Sequence, residues 1–122
     1  MSKIFFSLFI LTLFSCKDFG NPVNLQETTN YTYSEHIQPI FNQNCIACHG
    51  QNIQFGNLRL DSYLAVINSN VISQESSSSS ILYDRITLPE SNGSSMPPAG
   101  PLSAQDIELI NVWINLEVPE NW

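Results

Sequence analysis

Residues 45–49 read Cys-Ile-Ala-Cys-His, within "NQNCIACHGQ". Two thiols and an imidazole in five positions can do three kinds of chemistry. They can ligate a metal ion, cycle as a redox dithiol, or hold a haem covalently. Structural zinc wants four ligands, usually as two separated pairs. Here the second pair is missing, since His36 is the only other histidine, and Cys48 and His49 are adjacent. A thioredoxin-type dithiol needs a helix N-terminus to stabilise the thiolate, in a strand–helix setting. This motif instead follows a helical pattern. The third chemistry fits the spacing. Cys-x-x-Cys-His is the attachment pattern for c-type haem. Cys45 and Cys48 can add to vinyl groups on neighbouring pyrroles, and His49 then falls under the iron.

A closed site needs a sixth ligand. In electron-transfer proteins of this chemistry it is usually a methionine thioether. Met96 is the one methionine besides Met1, and it sits in "SSMPPAGPLS", where the prolines restrict the loop. His36 is the rival ligand, in the first helical pattern.

The elements that must position these groups are helical. The chain has 122 residues, room for one domain, with 43% hydrophobic content. Thr32-Tyr33-Ser34-Glu35 has the form of a capping box. Ile37, Ile40 and Phe41 then mark one buried helical face, with Pro39 kinking the helix or moving its start to about Glu35. Asp61-Ser62 can cap a short helix over 63–68. "SQESSSSS" at 73–80 reads as a surface loop whose last serine caps a helix over 81–86. Residues 87–101 hold four prolines and two glycines and read as loop. Ser103-Ala104-Gln105-Asp106 opens the clearest helix, 104–116, with Ile107, Ile110 and Ile114 on one face and Trp113 beside it. No alternating strand pattern of useful length occurs, so the expected class is all-α, with about four short helices and long loops. A unit this small usually needs a staple, and a covalently held cofactor would supply one.

The N-terminus has a different logic. "MSKIFFSLFILTLFSC" carries an early lysine and an apolar run from Ile4 to Phe14. That run is short of the roughly 20 residues of a spanning helix and has the form of a secretory signal. Leu13-Phe14-Ser15-Cys16 resembles a bacterial lipobox, which implies cleavage before Cys16 and lipidation of that cysteine. Phe14 is bulkier than the usual residue there. The expected organisation is a signal peptide over 1–15, a lipid-anchored tether over 16–30, and a folded domain over 31–122. The three cysteines then leave no odd thiol. Lys17-Asp18 faintly resembles the surface-export signal of Bacteroidetes lipoproteins, which points to outer-membrane association, facing the periplasm or the cell surface.

"NCIACHG", then "MPP", then a terminal amphipathic helix with a tryptophan together resemble the class I cytochrome c family. The wider pattern "HIQPIFNQNCIACHG", "GNLRLDSY", "SSSILYDRI", "MPPAGPLSAQDIELINVWI" is closer still to the small cytochrome c domains of bacterial envelope lipoproteins and planctomycete-type proteins. The resemblance spans about residues 33–117. It implies a small cytochrome c fold around one covalent haem c. Cys45 and Cys48 would be the thioether residues, His49 the proximal ligand and Met96 the distal one. It also implies that the first and last helices cross beside the haem, with Trp113 at the crossing. Tyr63, Leu64, Leu82 and Ile86 are candidate pocket walls, and Arg59 and Arg85 candidate partners of the propionates. The implied function is one-electron transfer without enzymatic turnover. The alternatives are a haem sensor or peroxidase-like domain with a displaceable sixth ligand, and a haem subunit of a larger oxidoreductase. The formal charge of −7, from 11 acidic and 4 basic side chains, argues against nucleic acid. It favours redox partners with basic docking surfaces.

Overall fold

The computed structural model describes residues 31–121. The expected signal peptide, Cys16 and the expected tether lie outside them. Four α-helices follow one another: α1 (Gln38–Asn44), α2 (Tyr63–Ile67), α3 (Ile81–Thr87) and α4 (Ala104–Asn115). A π turn, Tyr33–Ile37, leads into α1, and two 3-10 turns, Phe55–Asn57 and Ser77–Ser79, punctuate the loops. Among the described residues there is no strand, and one isolated bridge joins His49 to Gln54. The all-α class is therefore observed.

Pro39 explains the unusual start. It stands in the first turn of α1, where its missing N–H costs least. Ahead of it the chain runs in π register, with Gln38 N–H donating to Tyr33 O. Thr32 caps this turn by accepting from Glu35 N–H at 3.4 Å. Glu35 does not return the bond as a capping box would. His36 replaces it: Thr32 N–H donates to His36 Nδ1 at 3.2 Å. The helical path thus begins at Tyr33 in π register and passes to α register at Gln38, just before Pro39.

The other starts divide. Ser62 caps α2 by accepting from Ala65 N–H at 3.4 Å, and Ser103 caps α4 by accepting from Asp106 N–H at 3.0 Å. Ser80 occupies the cap position of α3 without a side-chain cap bond. Its hydroxyl accepts from Ser73 N–H at 2.8 Å instead. The serine tract is likewise more than surface loop. Ser77 and Ser80 are buried, and Ser77 is held by Asn111 and Asn115 of α4.

These starts deliver one core. Ile37, Phe41, Ile110, Trp113 and Ile114 are fully buried together. The π turn and α4 carry the crossing, and Tyr33 sits within it. Its ring lies 5.8 Å from Trp113 and 5.5 Å from Tyr63, centroid to centroid. The C-terminal segment closes over this point. Tyr33 N–H donates to Pro119 O at 2.9 Å, and Trp113 Nε1–H donates to the same carbonyl at 3.0 Å.

Candidate functional site

The motif is the direct continuation of α1. Cys45 N–H donates to Phe41 O at 2.8 Å, and His49 N–H donates to Cys45 O at 2.9 Å. Residues 45–48 therefore make one more turn past the helix, which places both thiols and the imidazole on a single coil. Cys45 and Cys48 are free thiols, both half-buried, and Cys45 packs on the hydrophobic core. Burial pushes the Cys45 thiol up to about 11. The position at a helix C-terminus acts in the same sense, because the dipole there opposes negative charge. Cys45 is thus built as a neutral sulfur, not as the reactive thiolate of a dithiol oxidoreductase.

The loop after the motif folds back and grips its main chain. Gly50 N–H donates to Ile53 O at 2.8 Å, Phe55 N–H to Cys48 O at 3.0 Å, and Leu60 N–H to His49 O at 2.8 Å. Leu60 is itself buried in the core. His49 Nδ1 is buried and has no hydrogen-bond partner among the described residues. A buried imidazole nitrogen without a partner is costly, and it marks a side chain placed for something other than packing. The same loop exposes Ile53 and Phe55, and Leu64 nearby in sequence is 67% exposed.

This donor set fits a covalent haem. It offers two unpaired sulfurs at the required spacing, one of them anchored in the core, and an imidazole with an unsatisfied nitrogen. Among the described residues no cluster of three or more His, Cys, Asp or Glu side chains forms a site for a bare metal ion.

Met96 lies on a separate element, the loop between α3 and α4. Arg85 ties that loop to α3 from both directions. Its carbonyl accepts from Met96 N–H at 2.9 Å, and its guanidinium donates to Ser94 O at 3.3 Å. Met96 remains 36% exposed, so it fills no gap in the core. His36 is committed elsewhere: its Nδ1 caps the π turn, and its ring stands edge-on to Tyr31 at 5.1 Å.

The candidate pocket walls separate. Leu82 and Ile86 belong to the core, Tyr63 donates its hydroxyl to Val118 O at 3.0 Å, and Leu64 is exposed. Arg59 already holds a carboxylate. It makes two bonds to Asp61, at 3.0 and 2.8 Å, and this pairing lowers the Asp61 pKa. Asp61, which the sequence offers as part of a helix cap, is instead the ion-pair partner of Arg59. The return clamp from Gly50 and Leu60 leaves no side-chain signature.

The family model described as planctomycete cytochrome C matches residues 45–100. That span opens on Cys45 and includes Met96. No curated protein and no solved structure matches the chain.

Proposed function

We propose that the protein is a lipid-anchored monohaem electron carrier of the bacterial envelope, a reading supported by the match of residues 45–100 to the planctomycete cytochrome C family model. The observation that carries the reading is the 45–49 coil, with two free thiols and an orphaned buried imidazole nitrogen at the end of a core helix. Cys45 and Cys48 would hold haem c through thioethers, with His49 and Met96 as axial ligands. When bound, the haem supplies a one-electron Fe(II)/Fe(III) couple.

The chain's own residues set how that couple behaves. Cys45 anchors one edge of the site to the core. The backbone clamp on His49 restricts movement of the proximal ligand. Arg85 holds the Met96 loop at a fixed distance from α3, and a soft thioether from that loop favours the reduced metal. The tether over 16–30 and lipid on Cys16 would attach the domain to the outer membrane, on its periplasmic face or at the cell surface. The acidic surface would select redox partners with basic docking faces. Among the described residues no helix is long and apolar enough to cross a membrane.

In a second reading the sixth ligand yields to a gas or peroxide. Spectra of the matured, membrane-extracted protein decide between them. A c-type spectrum with the far-red ferric band of sulfur on iron, lost in Met96→Ala, supports the carrier. The same spectrum without the band, with rapid carbon monoxide binding, supports the sensor or enzyme. Absence of covalent haem after maturation in a competent periplasm overturns both.

A further inference from the structure

We propose that Gly50 is a positioning residue for His49, acting by allowing the backbone to pass tightly against the carbonyl of Ile46. The inference rests on the haem-bearing reading of residues 45–49. A Cβ at position 50 would stand 2.5 Å from Ile46 O and 3.5 Å from Ile46 C. The obstacle is main chain inside a turn, so no rotamer change relieves it. Gly56 and Gly100 have positive φ, at 67° and 135°, and Gly50 does not. Its requirement is room for a close backbone approach rather than an unusual conformation.

The position of this contact gives it a role. Ile46 lies between the two cysteines and Gly50 follows His49, so the close approach shuts the turn that contains Cys48 and His49. From the other side the core-anchored Leu60 N–H holds His49 O at 2.8 Å, and Gly50 N–H holds Ile53 O at 2.8 Å. The main chain of His49 is therefore gripped between a tight turn and a returning segment. An alanine at position 50 forces residues 46 and 50 apart. With Cys45 and Cys48 fixed as thioethers, the displacement falls on His49, and the imidazole loses its aim.

The test uses the full-length, matured protein and compares Gly50→Ala with Gly93→Ala, whose added methyl meets open space. Haem per chain is measured first, then the affinities for carbon monoxide and for added imidazole. The expected result is covalent haem in both variants, with exogenous ligands bound more than threefold tighter by Gly50→Ala than by Gly93→Ala. A difference of threefold or less overturns the proposal. If Gly50→Ala does not mature, amide exchange in the unaltered holoprotein decides. Protected amides at Leu60 and Gly50 support the clamp, and exchange as fast as at Gly93 overturns it. A wild-type chain that carries no haem would instead sink the functional reading, and this inference with it.

Discussion

Single residues in this chain are assigned by what their polar atoms can reach. His36 and His49 are chemically identical, yet one imidazole nitrogen accepts a backbone N–H and the other is buried without a partner. That contrast supports the proposal that His49, and not His36, is the haem ligand. Tyr33 shows burial acting on a titration. Its pKa is pushed from 10.0 up to about 12, first by burial and then by Asp61 and Cys45. A folded state that holds its proton more tightly than the unfolded chain loses stability as pH rises. The Tyr33 contribution is whole below pH 10 and is lost as pH rises from 10 toward about 12. Denaturant titrations across that range should show a flatter decline for Tyr33→Phe than for the unaltered protein. Equal slopes would mean that Tyr33 keeps no such advantage on folding. Trp113 is the other decisive side chain. It is fully buried and donates to Pro119 O, so Trp113→Ala should cost about 3–5 kcal/mol. Thermal unfolding would show it, and a loss below about 1 kcal/mol would contradict the crossing described above.

At the level of elements, the helix starts are of two kinds. Thr32, Ser62 and Ser103 cap with their side chains, whereas Ser80 turns its hydroxyl back into the serine tract. Ser103→Ala should therefore cost about 1 kcal/mol through the loss of a cap. The tract itself is a polar seam between α4 and the start of α3. Asn115 Oδ1 accepts from Ser77 N–H at 3.0 Å. Asn115→Ala strands that donor and should cost about 1–3 kcal/mol, although Asn115 is itself exposed. Chemical denaturation of the two variants, side by side, checks both figures. Should Asn115→Ala prove neutral, the tract would be the surface loop that its composition suggests. Composition misleads here because serines carry no apolar signal, and their burial depends on asparagines more than thirty residues away.

The whole molecule is an acidic body with 11 carboxylate side chains against 4 basic ones. Among the described residues one ion pair is present, Arg59 with Asp61. Most of the negative charge thus stays available to act at a distance, over a screening length of about 8–10 Å at ordinary ionic strength. The rate of electron exchange with a positively charged redox reagent should fall as salt is raised. With a negatively charged reagent it should rise. Stopped-flow rates at two ionic strengths test this, and equal slopes of one sign would show that charge does not steer the encounter.

The sequence alone carries the Cys-x-x-Cys-His spacing on which the haem proposal rests. Covalent spacing is a local property, and Cys45, Cys48 and His49 need no fold to be recognised. The caps at Thr32, Ser62 and Ser103 and the isoleucine face of α4 were equally legible, because capping and helical periodicity act within four residues. Tertiary structure decided the rest. It replaced Glu35 by His36 in the first cap and set the chain before Pro39 in π register. It drew the serine tract onto α4. It also wrapped residues 50–60 around His49 through backbone bonds, which no side-chain pattern encodes. Interactions among sequence neighbours leave a pattern in residue types. Main-chain contacts between distant segments leave almost none, apart from a glycine where a Cβ would not fit.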